Sequence, residues 1–430
     1  MNTSTTRRLS PSRNRRSVAM TAVGAVLALL AACSNTTAAG PSTTAASSGA
    51  SEKLITAADV PADQLKAAIK RVILADVPVA NLPPVVADTL AVASIPLTDE
   101  QTAKLKECLS QTSCETGHGT LTVGINADFT NNPWWSVRRA EATAQALAYP
   151  QVKKIVFTTS TKGDVAEVLA NLRSLVAQKV SFIVEDPIFG GAILPAAKLA
   201  KDAGIPFITE NGPLNASDES QVTTQFPYPL CEMAKQAVTK ITADTTLTDK
   251  TYGLVTGSAG NAFSAIWWPC AKDAFKAAGW TQVIEQTTDW TKQGEAQAAN
   301  ELIASGKKPA ALLYDSSLDN YLAPFIDQGV DAPASFQDTS WYSFAPIYQS
   351  AKDKGLKISS YMSDSHVWYG RLGVTAGVML ATGQQLPNKI EMPVQVVSYD
   401  DIPKFDGMPA NSVYNPLLPA DLVNHALEAK

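Results

Sequence analysis

From Thr120 onward the chain alternates short apolar, β-branched runs with longer amphipathic stretches, and this pattern constrains the fold more than any other feature. The first block reads Leu121–Asn126 then Trp134–Leu147, Lys154–Thr159 then Val165–Gln178, Phe182–Glu185 then Ile193–Ala203, and Pro206–Glu210. A second block begins with Tyr252–Gly257 and Ala262–Ala278, Val283–Thr288 and Glu295–Ser305, Ala311–Tyr314 and Leu318–Gln328. It continues with Ser335–Gln337 and Phe344–Lys354, Lys357–Tyr361 and Val367–Ala381, and Val394–Val397. Near-continuous apolar strands followed by helices imply parallel strands buried on both faces. Two such blocks, joined near Gln221–Tyr228, predict an α/β chain of two doubly wound, Rossmann-like lobes. Ligands in such sheets lie outside the carboxyl ends of the strands, so the residues just after each strand are the ones to examine.

Charge is spread unevenly. Arg7, Arg8, Arg13, Arg15 and Arg16 precede an apolar run from Val18 to Ala32, and no acid occurs before Glu52. A basic start, a short apolar stretch and small residues at its end form a secretory signal peptide over residues 1–32. Fifteen apolar residues are too few to span a bilayer. Leu30-Ala31-Ala32-Cys33 resembles a bacterial lipobox, which implies cleavage before Cys33 and lipidation of its sulfur. An ordinary signal that happens to be followed by Cys is the alternative. Arg15-Arg16 fits a twin-arginine signal poorly in its following residues. Losing residues 1–32 takes five Arg and no acid from 35 basic and 40 acidic residues, so the net of −5 becomes −10. That balance argues against nucleic acid as a partner.

Residues 33–51, only Ser, Asn, Thr, Ala, Gly and Pro after the Cys, read as a flexible tether. Residues 52–118 read as a helical extension, with an apolar stripe at Leu65, Ile69, Val72 and Ile73 and a capping box at Thr98 and Gln101. A cap docked on the body is preferred over a partner-binding module. Cys108, Cys114, Cys231 and Cys270 remain in the exported chain, which suggests two disulfides, with Cys108–Cys114 and Cys231–Cys270 favoured among three pairings over reduced, buried thiols. His118, His366 and His425 are scattered and no Cys pair has ligand spacing, so neither a metal nor any other cofactor is expected.

Several local motifs resemble the sugar-type, ribose-binding-like periplasmic-binding proteins, the solute receptors of ABC importers. They are Val123-Gly124-Ile125-Asn126 leading to Asn132-Pro133-Trp134-Trp135, Asp164 to Gly204-Ile205-Pro206, Asp289-Trp290, and Gly370-Arg371-Leu372-Gly373. The resemblance runs from about Thr120 to Ser398. It implies the type I periplasmic-binding fold, with a three-segment hinge near Gln225, Asp364 and Pro393. Lobe 1 is then 119–225 plus 365–393, lobe 2 is 226–364 plus 394–405, and 406–430 is a C-terminal tail.

Carried over position by position, the resemblance implies ligand contacts at Asn132, Trp134 and Trp135, at Asn211 after the fourth strand, and at Trp290, Asp315 and Asp338. Asp364 or Ser365 stands at the hinge position. Asp186 ends the third strand and is a further candidate, and Trp267 with Trp268 can wall the cleft. For the indoles the alternative is core packing, and for the carboxylates a helix N-cap. The family's lobe-2 Arg is missing, and residues 226–364 contain no Arg at all, which favours a neutral or cationic ligand over an anion.

The expected function is therefore a lipid-anchored, extracytoplasmic solute-binding protein. It is expected to be a monomer on the outer face of the cell membrane. It would bind a small neutral hydroxylated solute, such as a sugar or polyol, and deliver it to an ABC permease. A ligand sensor for a membrane kinase is the alternative, with a secreted carbohydrate-active enzyme behind it. An enzyme is not expected. Gly257-Ser258-Ala259-Gly260 is not a nucleophile elbow, and no His occurs between 119 and 365.

Overall fold

The computed structural model describes residues 53–130, 132–161, 163–402 and 407–429. The expected signal peptide, the expected lipidation site at Cys33 and the expected tether lie outside the described residues.

The chain begins with three helices, α1 (Ala62–Ile73), α2 (Pro84–Ser94) and α3 (Asp99–Leu109), and a short strand β1 (Ser113–Glu115). The first βα block follows as β2 (Leu121–Ala127), α4 (Pro133–Ala148), β3 (Val152–Thr159), α5 (Val165–Ala177), β4 (Phe182–Glu185), α6 (Leu194–Asp202), β5 (Phe207–Asn211) and β6 (Thr224–Pro227). The second runs α7 (Leu230–Thr242), β7 (Thr251–Thr256), α8 (Ala262–Ala277), β8 (Thr281–Thr287), α9 (Lys292–Ser305), β9 (Ala311–Tyr314), α10 (Asp319–Asp327), β10 (Ala334–Gln337), α11 (Phe344–Asp353) and β11 (Ser360–Met362). Helix α12 (Tyr369–Ala381), strand β12 (Val397–Ser398) and helix α13 (Ala420–Glu428) complete it.

These strands form two six-stranded sheets, ordered β1-β3-β2-β4-β5-β6 and β12-β11-β10-β9-β7-β8. Each has one antiparallel edge, β1 on β3 and β12 on β11, and is otherwise parallel. Without the edges, both sheets have the same doubly wound order, with the first parallel strand between the second and third. This is the type I periplasmic-binding fold. The apolar runs are buried because both sheet faces are covered: β4 and β9 have no exposed residue.

Helix α12 comes after the second sheet yet packs on the first, against α4, β4 and β5. Its sequence explains how closely it sits. A Cβ at Gly373 would overlap Val184, and one at Gly377 would overlap Phe182, both on β4. Strand β6 keeps residues up to Pro227 in the first sheet, slightly past the expected crossing at Gln225. The third crossing runs beside the first, where Gln225 pairs with Lys389 and exchanges backbone bonds with Asn388 and Ile390.

Residues 53–118 pack on the first lobe, α3 against α4 and α2 against α12. They are not purely helical, since β1 extends the sheet. The capping box forms as Thr98 and Gln101 exchange bonds, and the Gln101 amide also reaches the Leu147 carbonyl (3.0 Å). Leu65, Ile69, Val72 and Ile73 are buried, each contributing roughly 1.5–3 kcal/mol on burial. The C-terminal segment is integrated too, and it adds a fourth crossing between the lobes. Val413 pairs with Trp341 of the second lobe, and then the Leu418 N–H donates to Glu141 on α4 (2.9 Å). Helix α13 packs on α4 and α3. Disulfides join Cys108 to Cys114 and Cys231 to Cys270, the second tying α7 to α8.

Candidate functional site

On the first lobe, β2 ends at Ala127 and the chain reaches Asn132, whose extended backbone and side chain cap α4 by accepting from the Trp134 N–H (3.0 Å). Pro133 fills the first helical position, where a missing N–H costs nothing. The cap fixes where the next two indoles emerge. Trp134 donates its Nε1–H to the Ser365 carbonyl (2.8 Å), reaching the second crossing, and meets Trp135 edge-on at 4.9 Å between ring centroids. At the end of β5, Asn211 has φ 62°. Its Nδ2 donates to Asp186 (2.9 Å), which also accepts from the Gly212 N–H (3.0 Å). The amide is thereby oriented, and its buried Oδ1 has no protein partner.

Behind this wall lie four buried carboxyls, Asp128, Glu185, Asp186 and Glu210, with the guanidinium of Arg138 among them. Arg138 Nε donates to Glu210 at 2.6 Å and lies 4.0 Å from Asp186. Burial pushes Asp128 up to about 7 and Glu210 to about 8, and raises Glu185 and Asp186 as well, against the pull of Arg138. The cluster therefore holds protons near neutral pH and does not flood the cleft with negative charge.

On the second lobe, Asp315 follows β9 and is a hub. It accepts from Trp267 Nε1 and Trp290 Nε1, each at 3.0 Å, and from the Thr256 hydroxyl. Burial, then the nearby Asp338, pushes its carboxyl up to about 7, while these three donors oppose the rise. Trp290 and the preceding Asp289 both have positive φ (51° and 54°), a conformation that costs a bulky residue energy. The ring lies flat over Gly257, where any Cβ would overlap it. Asp338 follows β10, with one oxygen 3.6 Å from His366 Nε2 and the other, Oδ1, buried without a partner. His366 has φ 43°, and its Nε2 also meets the Thr339 hydroxyl (3.2 Å). Burial pulls its imidazole down, but Asp338, Asp364 and Asp186 together raise it above the ordinary value.

Between these walls is a cavity of about 490 Å³. Trp134, Trp135, Phe263, Trp290 and Trp341 supply flat apolar faces; Asn132, Asn211, Asp315, Ser316, Asp338, Thr339 and His366 supply polar groups, with Ile188 between them. Among the described residues no Lys or Arg lines it. Three of its residues, Asn211, Trp290 and His366, hold left-handed backbones. Aromatic faces suit the C–H side of a ring, and the unpaired Oδ1 atoms of Asn211 and Asp338 require hydrogen-bond donors from whatever enters. Among the described residues no cluster of His, Cys, Asp or Glu is arranged to hold a metal ion.

Of the residues expected to touch ligand, Asn132, Trp134, Trp135, Asn211, Trp290, Asp315 and Asp338 line this cavity. Asp186, Trp267 and Asp364 do not line it. Asp186 orients Asn211 from behind. Trp267 is fully buried and donates to Asp315. Asp364 accepts from Tyr228 (2.8 Å) and Trp368 (3.0 Å), pinning the first crossing to the second. None of the four candidate carboxylates caps a helix; Asn261, Thr291 and Asn132 do that here. Ile188, Phe263, Ser316, Thr339, Trp341 and His366 were not expected in a binding role. Ser316 and Thr339 directly follow expected residues, and His366 follows the expected hinge, so strand-end position was the available signal for these three.

Residues 123–323 match the periplasmic binding protein domain family. No curated protein sequence matches the chain. Among solved structures it is similar to the arabinose ABC transporter's periplasmic binding component from Shewanella sp. ANA-3, bound to L-arabinofuranose (TM-score 0.57, 14% identity, covering 65% of this chain and 92% of that one). It is also similar to a Bacillus halodurans ABC transporter solute-binding protein with bound myo-inositol (0.57, 14%, 66% and 96%). A third is an Agrobacterium vitis solute-binding protein with bound D-fucose (0.57, 16%, 66% and 97%). At these identities the likeness is one of fold. With the two matched sheets, the crossings and the cavity at their strand ends, the chain carries a periplasmic binding protein domain on the type I periplasmic-binding fold.

Proposed function

We propose that this protein is the extracytoplasmic solute-binding lipoprotein of an ABC importer, anchored through Cys33, and that it delivers a small neutral hydroxylated solute, a sugar or polyol, to a permease. The observation that carries this reading is the pair of unpartnered acceptors, Asn211 Oδ1 from one lobe and Asp338 Oδ1 from the other, in a cavity walled by indoles. A hydroxylated ring supplies both the donors these oxygens lack and the C–H faces the indoles stack on. An anion would meet Asp315 and Asp338 with no Lys or Arg to offset them. Binding without catalysis fits a site in which Asp315 is held by two indole N–H groups and a hydroxyl. The solved structures of the same fold, with arabinofuranose, myo-inositol and fucose bound, support the choice of carbohydrate over amine.

A thermal-shift panel of sugars, polyols, amino acids and quaternary amines tests this. A true ligand at 100 times its Kd stabilises by ~2.7 kcal/mol. The proposal expects that shift from a sugar or polyol. A shift from a quaternary amine alone, or hydrolysis of a chromogenic glycoside, would overturn it.

A further inference from the structure

The inner cavity does not end at its aromatic wall. Asn132, Trp290 and Trp341 line it on one side, and the same three residues line a second chamber of about 510 Å³ on the other. We propose that this outer chamber is a second subsite holding a second sugar ring, so that the ligand is a disaccharide. This inference rests on the carbohydrate reading of the inner cavity and extends it.

The chamber repeats the chemistry of the first with different parts. Trp290, whose other face is packed over Gly257, and Trp341 line both chambers. Asn320 donates its amide hydrogens to Glu295 Oε2 (2.8 Å) and Asp319 Oδ1 (3.2 Å), which leaves its carbonyl oxygen to accept from a ligand hydroxyl. Lys292 is exposed at the same chamber, and among the described residues no carboxylate lies within ion-pair distance of it, so its ammonium is available to donate. The two acids are already engaged by protein donors. Glu295 takes Tyr314 (2.9 Å) as well as Asn320, and Asp319 takes Ser343 as well as Asn320. They therefore shape the chamber and orient Asn320, and what is left for a ligand is the indole surface of Trp290 and Trp341, one acceptor and one donor. That combination suits a second hydroxylated ring.

The test is calorimetric titration of the full-length protein in detergent with glucose and galactose, and with cellobiose, maltose and lactose. One added ring on an aromatic face with a new hydrogen bond is worth about tenfold in affinity. The best disaccharide should therefore bind about tenfold or more tighter than the best monosaccharide, and N320A combined with K292A should bring that ratio to about threefold or less. A monosaccharide that binds as well as every disaccharide, or a ratio untouched by the double variant, overturns the subsite and leaves the inner site standing. Failure of all five sugars to bind overturns the carbohydrate reading and the subsite together.

Discussion

The two lobes share one strand order and differ in what covers it and in how they use charge. The first is layered: α1–α3, α12 and α13 pack outside or beside α4, and two arginines are buried there. Arg138 serves Glu210 and Asp186, while Arg371 is bonded to Glu141 and to Gln145 (2.9 Å). The second lobe has no Arg, draws on Tyr314, Tyr321, Tyr348, Tyr399 and Tyr414 for its core, and is tied by the Cys231–Cys270 bridge. The lesson is a division of labour. In the first lobe the acids gather around Arg138 behind the cavity wall, and the unpaired atom that lines the cavity belongs to a neutral amide, Asn211. In the second, the unpaired atom belongs to a carboxyl, Asp338, and on the proposed function both are acceptors for the ligand.

The comparison breaks hardest at Arg138. R138A leaves Glu210 and Asp186 buried without a counter-charge and should cost about 3–5 kcal/mol by denaturant unfolding. A cost below about 1 kcal/mol would mean that shared protons, not the guanidinium, hold the cluster. Next come the bridges. Replacing Cys231 and Cys270 by Ser opens a link of sequence separation 39 and should cost about 4 kcal/mol; replacing Cys108 and Cys114, separated by 6, about 2 kcal/mol. Equal costs would remove the claim that the second lobe depends more on its bridge. Smaller still, G257A pushes a methyl into the Trp290 ring and should displace it from Asp315. Affinity for the sugar identified in the panel should then fall by about tenfold, about 1.4 kcal/mol. Unchanged affinity would show that Trp290 forms no part of the binding wall.

The mildest effect is on pH. Burial raises Glu295 from 4.5 to about 8, so the native state keeps a proton that the unfolded chain gives up. The stability this provides is complete below pH 4.5 and is lost as pH rises toward 8. E295Q cannot titrate there. Its unfolding free energy relative to wild type should rise by at least about 1 kcal/mol between pH 5 and pH 8. A parallel pair of curves would contradict the burial of that carboxyl.

The fold was legible because period and length agree: β4 is a three-residue apolar run closed by Glu185, β9 is a run of four, and the helices between them are amphipathic. Asn211, Trp290, Asp315 and Asp338, expected from the resemblance at positions just after strands, do line the cavity. Trp267, read on its helix as either cleft wall or core, is in the core, because which face of α8 meets the cavity depends on the helix's rotation, which Asp315 fixes from another strand. Asp186 and Asp364 do not line it, because a carboxylate at a strand end can serve a neighbouring amide, tyrosine or indole as readily as a ligand. Trp341 was hidden in a loop whose position is set by pairing with Val413, 72 residues later. The fourth crossing was hidden for the same reason, since residues 407–429 carry no βα pattern.

The most direct test of the central claim uses one variant from each lobe. N211G keeps the left-handed backbone without strain and removes the amide, and D338A removes the carboxylate together with its unpaired oxygen. Titrating the panel's best sugar into each should show a loss of at least about tenfold for both, as expected when a buried hydrogen-bonding group is removed. If either variant binds like the wild type, the ligand is not held between the two lobes by Asn211 and Asp338, and the account is wrong.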